Sequence, residues 1–331
     1  TAHSRRDTPT VAMNTAGCGL AAEACVRRIR YILFPQEGAK ACAASGKATD
    51  GAPAYVVMGY PNLTRGPGFL GAKHGFVYLT NTENGPAGLT RPANISTSRQ
   101  AARDRLLGVA RNSFVERNAK DTVIRQYNDA IGESQELMSG EFMGAFNLKS
   151  ESGSLRNAYG GEFGQRCLLA RRLIQRGVRF QEVSFNLNFV NGTGWDTHND
   201  GQLKQHLIIQ QLDQALATLV TDLQAHKLLD KTLIVVSTEF GRPPEFDGGG
   251  GRGHQSRAFT VALAGGGLKN GQAIGVTDEI GKKVVERPIS VPDLFATIHW
   301  AMGVNPGKNL YDGDRPVPIT DHGKPVKELF V

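Results

Sequence analysis

The sequence TLIVVS at residues 232–237 is an uninterrupted apolar run that leads to the acid Glu239 two residues later. A short run of this kind, rich in β-branched residues, is typical of a strand that is buried on both faces. Residues 202–229 before it repeat leucines at the spacing of a long amphipathic helix, and residues 259–264 form a second apolar strand. This alternation of helices and strands predicts a largely parallel sheet with helices on both faces.

Further segments carry helix and strand signals of the same kind. Gly177 is suited to the left-handed cap that ends a helix, and Ser290, Pro292 and Asp293 have the spacing of a capping box that begins one. The predicted elements are helices over 98–116, 122–138, 163–176 and 290–303, strands over 54–58, 76–79 and 178–185, and a loop over 140–161.

Length and composition allow one large core or two modest ones, since the chain has 331 residues of which 40% are hydrophobic. We predict a single domain over residues 1–331, with its best-supported core at 159–305. The first fifty residues show only weak periodicity, and the glycine- and proline-rich residues 61–97 form a long connection that can line or cover a site. No segment is long and apolar enough to cross a bilayer.

The chain is basic, with 38 Lys and Arg against 31 Asp and Glu. The excess favours anionic partners, such as phosphate or sulfate esters, or simply gives solubility. Nucleic-acid binding is not indicated, because no pattern of stacking aromatics accompanies the charge. Arginines between Arg166 and Arg176 alternate with leucines, which predicts a surface helix with a solvated basic face.

The cellular compartment is open from the residues alone. Four cysteines without a C-x-x-C pair do not form a disulfide framework. The sequence SRRD at residues 4–7 resembles the start of a twin-arginine export signal, but Pro9, Asn14 and Glu23 interrupt the apolar region that such a signal needs. We interpret the similarity as chance.

Three short motifs carry ligands for a divalent metal ion. Asp196 and His198 lie in the sequence WDTH, Glu239 ends an apolar strand, and His254 lies in a glycine-rich loop. Ligands often gather beyond the carboxyl ends of strands in α/β sheets, so we expect these four to converge. The mixture of carboxylates and imidazoles favours Zn²⁺ or Mn²⁺, with Ca²⁺ and Mg²⁺ as alternatives. Arg242 could clamp an anionic oxygen of a substrate.

Each of these residues also has a purely structural interpretation. Asp196 suits a cap of the following helix, Glu239 suits an ion pair with Arg242, and His254 suits a flexible loop. His206, His226 and His299 lie on predicted helices and are expected to be structural, whereas His322 lies near the end of the chain without a preceding strand.

Taken together, the motifs resemble the bacterial family called domain of unknown function 1501. The similarity is dense over residues 159–305 and sparser upstream. It is carried by CLLARRL from 167, GVRF from 177, WDTH from 195, EFGR from 239, GH from 253, AGGG from 264, RPISVPDLFAT from 287, APAYV from 52 and GFLG from 68.

This family is similar to the alkaline phosphatase and sulfatase superfamily, whose members are usually exported. The resemblance implies a three-layer α/β/α sandwich with a mostly parallel sheet, alkaline-phosphatase-like. It implies that Asp196, His198 and His254 hold one metal ion and that Glu239 is a carboxylate near a second. Phe240 departs from the pattern, because better-studied relatives have a metal-binding histidine at that place.

Two functions from different classes follow. The first is a metal-dependent hydrolase of phosphate or sulfate esters, acting on an anionic small molecule or polysaccharide. Glu239 and Arg242 would act at the site. The attacking group would be a metal-activated water or a nucleophile missing from this chain, because the nucleophile-bearing turn expected from the resemblance is not found after Thr1. The alternative is a non-catalytic binding or assembly protein that retains the sulfatase-like fold. The oligomeric state is left open.

Overall fold

The protein is a mixed α/β molecule, seen here in a computed structural model. The described residues are 10–13, 35–45, 51–59, 67–79, 82, 85–86, 88–138, 141–184, 195, 198, 201–238 and 240–331. Their helices are α1 (Pro35–Ser45), α2 (Thr97–Arg117), α3 (Thr122–Met138), α4 (Glu141–Gly144), α5 (Gly153–Tyr159), α6 (Glu162–Gln175), α7 (Gly201–Ala225) and α8 (Val291–Ala301). None of the helices in these ranges is both long and apolar enough to span a membrane.

The strands of the same residues form two main sheets and two small antiparallel pairs. Their bounds are β1 (Thr10–Met13), β2 (Tyr55–Met58), β3 (Val77–Leu79), β4 (Phe180–Val183), β5 (Leu233–Val236), β6 (Phe259–Gly265), β7 (Ala273–Ile274), β8 (Val276–Thr277), β9 (Val284–Glu286), β10 (Asn309–Asp312) and β11 (Arg315–Pro318).

The first sheet is parallel, in the order β3-β2-β4, as predicted for an α/β protein. The second has the order β5-β6-β1-β7, and β6 runs antiparallel to both β5 and β1. A mostly parallel arrangement therefore describes only the first sheet. The described residues between β5 and β6 contain no helix, and the chain returns so that the two strands are antiparallel neighbours.

Most predicted elements are present within a few residues. The exception is the predicted loop over 140–161, which contains α4, the 3₁₀ turn Leu148–Ser150 and α5. Ser152 caps α5 by accepting a hydrogen bond from the backbone N–H of Leu155 at 3.2 Å. Helices this short show no clear apolar periodicity, so their caps were the only available signal.

Helix α6 lies in the centre of the first core, where Leu168, Leu169 and Leu173 are fully buried among residues of β2, α5 and α7. The helix ends as predicted at Gly177, which has φ +86°. The backbone N–H of Val178 donates to the carbonyl of Leu173 at 3.1 Å, which completes a Schellman cap. This cap turns the chain directly into β4.

The prediction of a solvated basic face on α6 is wrong. Arg171 is only 2% exposed, and its Nε donates to Asp222 of α7 at 2.8 Å while Nη2 lies 3.0 Å from a carboxylate oxygen of Glu151. The hydroxyl of Tyr159 donates to the same Asp222 oxygen at 2.8 Å. We call Glu151, Tyr159, Arg171 and Asp222 the buried ion cluster. Periodicity missed it because α6 packs on more than one side.

Strand β5 packs against a core on each of its faces, although its four residues are only half-buried rather than fully buried as its apolar sequence predicted. Ile234 packs against the first core, whereas Leu233 and Val235 pack against a second core formed by β6, α8 and the end of the chain. Helix α8 begins with the predicted capping box, because Ser290 Oγ accepts from the N–H of Asp293 at 3.1 Å and the Asp293 carboxylate accepts in return.

Candidate functional site

The loop between β5 and β6 is closed at its base by a short antiparallel bridge. Gly241 and Gln255 exchange two backbone hydrogen bonds, each of 2.9 Å. A side chain at Gly241 would place its Cβ 2.3 Å from the carbonyl oxygen of Ala258, so the close approach requires glycine. The bridge fixes the positions of residues 240 and 254, which flank it on the two arms of the loop.

Inside the loop, Asp247 organises the glycine run that follows it. Its Oδ1 accepts hydrogen bonds from the N–H groups of Gly249 at 3.2 Å and Gly251 at 3.0 Å. Gly250 has φ +77°, a conformation that glycine adopts readily. The second carboxylate oxygen is thereby aimed away from the turn.

That second oxygen meets one of two converging histidines. His198 Nδ1 lies 3.3 Å from Asp247 Oδ2, and His198 Nε2 lies 3.0 Å from His254 Nε2. The two histidines are 56 residues apart in the chain. The ring of Phe240 is buried and packs on His254 with 4.3 Å between centroids. We call His198, Asp247 and His254 the histidine site.

The charge state of the histidine site follows from its hydrogen bonds. The bond from His198 is the main cause that holds the pKa of Asp247 below its usual value; burial opposes it, and the N–H groups of Gly249 and Gly251 lower the pKa further. An ionised carboxylate can only accept, so Nδ1 of His198 carries the proton. In the neutral imidazole, Nε2 then presents a lone pair, which is the form that binds metal ions.

The predicted ligands are placed as follows. His198 and His254 come together, whereas Asp196 and Glu239 lie outside the described residues. Arg242 Nη1 donates to the carbonyl oxygens of Arg252 at 2.7 Å and Gly253 at 3.3 Å, so this side chain braces the loop. Within the described part of the chain, no three histidine, cysteine or acidic residues form a complete ligand group.

Sequence reasoning missed Asp247. The available signal was an acid directly before four glycines, Gly248 to Gly251, which is typical of a side chain that caps its own turn. Nothing local indicates that this turn faces His198, because that contact joins residues 49 positions apart.

The other histidines on helices have structural contacts, as predicted for His226 and His299. His226 Nδ1 lies 3.1 Å from a carboxylate oxygen of Asp222, and the buried His299 donates to the carbonyl of Phe295 at 2.8 Å. Burial raises the pKa values of Cys42 and Cys167 to about 12, so these thiols are poor nucleophiles.

The fold and the site define a mixed α/β protein in which a histidine of a glycine-rich loop meets a second histidine from a distant part of the chain. The chain belongs to the family described as protein of unknown function (DUF1501), whose model matches residues 10–330. No curated protein and no solved structure matches it.

Proposed function

We propose that this protein binds a divalent metal ion at the histidine site and is a metal-dependent hydrolase of phosphate or sulfate esters. The observation that carries the proposal is the approach of His198 Nε2 and His254 Nε2 to 3.0 Å. Two imidazole nitrogens bound to one tetrahedral Zn²⁺ at 2.0–2.1 Å would lie about 3.3 Å apart. The two rings therefore need little movement to share an ion.

The surroundings of the two rings also fit a metal site. Asp247 holds the tautomer of His198 that leaves Nε2 free of a proton, and carboxylates commonly support metal-bound histidines in this way. Phe240 and the Gly241 bridge limit the positions open to His254. The family resemblance adds Asp196 to this ligand set and places Glu239 near a second ion.

The proposed chemistry follows from this ligand set. Zn²⁺ or Mn²⁺ suits mixed imidazole and carboxylate ligands, with Ca²⁺ or Mg²⁺ as alternatives. A bound ion would polarise an ester oxygen and lower the pKa of an attacking water. The net charge of +7 favours an anionic small-molecule or polysaccharide ester, and Arg242 is proposed to contact it.

The finer fold assignment belongs to the same proposal. The parallel order β3-β2-β4 and the packing of a core against each face of β5 support a three-layer α/β/α sandwich of alkaline phosphatase type. Export from the cytoplasm is proposed from the family resemblance alone.

A second candidate, a non-catalytic binding protein with the same ancestry, is favoured by Phe240. This ring is 6% exposed and occupies the place at which better-studied relatives are expected to have a second metal-binding histidine. An apolar ring cannot ligate an ion, so only one metal position would remain.

Metal content tests the proposal directly. We would measure it by elemental mass spectrometry on protein purified without chelators, comparing the parent with His198→Ala and with an Asp196→Ala/His254→Ala double variant. His206→Ala is the matched control, because His206 is an exposed histidine on α7. We expect about one ion per parent and control chain, and loss of the ion from the other variants.

Metal-free parent protein, even after incubation with excess Zn²⁺ or Mn²⁺, would contradict both the metal site and the hydrolase. If the ion is bound, hydrolysis of aryl phosphate and aryl sulfate esters separates the two candidates. Activity that disappears with the ion supports the hydrolase, whereas bound metal without ester hydrolysis supports the binding protein.

A further inference from the structure

Helix α2 is long, yet it lies almost outside the cores of the protein. None of its 21 residues is buried, and Leu106 and Val109 are each 72% exposed. Phe114 is exposed as well. These apolar positions lie on one side of the helix, where they are interspersed with arginines. Isolated helices are marginally stable in water, so a partner for this face is expected.

Helix α3 continues the same surface but is anchored to the body. Its Leu137 is buried in the first core, and Asp121 caps its beginning by accepting from the N–H of Val123 at 2.9 Å. On the outward side, Val123 and Tyr127 are 71% and 66% exposed. We call α2, α3 and their turn the α2–α3 hairpin. It therefore combines an arm anchored in the first core with an arm that has no buried residue.

The two arms of the hairpin carry opposite charge. Helix α2 has five arginines against Asp104 and Glu116, a net charge of +3. Helix α3 has Arg125 against three acids, a net charge of −2. Three of the five arginines lie in the first half of α2, and the three acids lie from the middle of α3 to its last turn. An antiparallel contact between the two helices would therefore set base against acid.

The same antiparallel alignment matches the apolar residues. It places the second half of α2, with Phe114, opposite the first half of α3, with Val123 and Tyr127. We propose that two copies of the chain associate through their α2–α3 hairpins, with α2 of each copy packed antiparallel on α3 of the other. This interface is isologous, so both contacts form together and the contact closes as a dimer.

The size and the charge of the α2–α3 hairpin agree with a second copy of the chain as its partner. A contact along the 17 residues of α3 is about 26 Å long and about 10 Å wide, so two such contacts cover roughly 500 Å² per copy, which is the size of a weak interface. An anionic membrane is a less suitable partner for the hairpin. It would repel the acids of α3, and the arginines of α2 share a face with its apolar residues instead of lying apart from them.

Charge reversal tests the proposed dimer. We would prepare one variant with Arg99→Glu and Arg103→Glu on α2, and a second with Asp129→Arg and Glu133→Arg on α3. Sedimentation velocity over 1–100 μM, on the order of typical dimer affinities, should show a parent dimer. Each variant should have a dissociation constant raised at least about tenfold, because like charges then meet twice.

Mixing the two variants in equal amounts should restore the dimer, since every α2–α3 contact in the mixed pair is again between opposite charges. A Lys308→Glu/Arg315→Glu variant is the control, because both residues are exposed and lie away from the hairpin in sequence. Far-UV circular dichroism establishes that each variant is folded. Restoration by mixing does not occur if a variant has merely unfolded.

Three outcomes would overturn the proposed dimer. The first is a parent that stays monomeric at 100 μM, roughly the upper end of the affinity range considered. The second is a variant pair that dimerises as well separately as together. The third is a monomeric parent that binds vesicles of anionic lipid through α2, which would assign this surface to a membrane. None of these results depends on the metal site.

Discussion

The buried ion cluster and the histidine site are built in similar ways but differ in exposure. Each joins residues from distant parts of the chain, 51 positions apart for Arg171 and Asp222 and 56 for His198 and His254. In the cluster, Arg171 and Asp222 are 2% and 4% exposed. At the histidine site, the side chain of His198 is 34% exposed.

The partners of these groups differ as well. In the cluster, Arg171 faces two carboxylates, and burial together with the acceptor Asp222 raises the pKa of Tyr159 so that its hydroxyl stays a donor. At the histidine site, two imidazole nitrogens face each other at the protein surface. Buried charges that are matched by the protein hold a fold together, whereas converging ligands near solvent are suited to an ion or substrate.

The largest effect is expected from breaking the buried ion cluster with Asp222→Ala. The substitution leaves Arg171 buried with one carboxylate and removes the acceptor of Tyr159, so the free energy of unfolding should fall by about 3–5 kcal/mol. Asp213→Ala is the matched control on an exposed position of the same helix, with an expected change of about 0.5 kcal/mol or less. Urea unfolding measures both, and equal losses would contradict the structural role of the cluster.

A smaller effect on stability is expected at the base of the loop from Gly241→Ala. The added Cβ would lie 2.3 Å from the Ala258 carbonyl oxygen, and overpacking of this kind costs about 1–3 kcal/mol. Gly253→Ala, in the same loop, has open space around the added carbon and should be nearly neutral. If thermal unfolding and metal content do not distinguish the two variants, the bridge does not position the site.

The Asp247→Asn variant should affect binding but not stability. Its side-chain oxygen can still accept from Gly249 and Gly251, but its amide nitrogen cannot accept the Nδ1 proton of His198. We expect about 10–100-fold weaker binding of Zn²⁺, measured by competition with a chromophoric chelator. Asp314→Asn, on an exposed turn, is the control.

If Asp247→Asn binds Zn²⁺ as tightly as the parent, the imidazole nitrogen chemical shifts of His198 distinguish two explanations. A changed tautomer with unchanged Zn²⁺ affinity would show that Asp247 orients a ring that holds no ion. An unchanged tautomer would contradict the role assigned to Asp247 itself.

The smallest effect is expected on the pH dependence of stability, through Glu151 of the buried ion cluster. Burial raises the pKa of Glu151, but the hydrogen bonds and charges of Arg171 and Arg172 outweigh it and hold the pKa below its ordinary value. A lowered folded-state pKa stabilises the protein above the unfolded carboxyl pKa of about 4.3, and this contribution is lost as the pH falls through the folded value. Glu151→Gln should therefore flatten the loss of stability below about pH 4. An unchanged slope in acid unfolding would contradict the assignment.

Several features could be predicted because their causes are local. The apolar run of β5 indicates a strand that packs on both faces, Gly177 ends α6, and the Ser290 capping box begins α8. The family motifs also pointed to His198 and His254 as a pair. For the three elements neighbouring residues contain the physical cause, either through their periodicity or through a hydrogen bond within one turn. The approach of His198 and His254 has no such local cause and was expected only from the family resemblance and from the usual place of ligands in α/β sheets.

The sequence by itself thus determined the main elements and the family, and it predicted that His198 and His254 come together. Only the tertiary structure decided that β6 runs antiparallel to β5, that Arg171 is buried against Asp222, and that Asp247 supports His198. These features depend on contacts between residues far apart in the chain. The free energy of such a contact depends on burial and on the partner's position, and neither is encoded in the residues next to it.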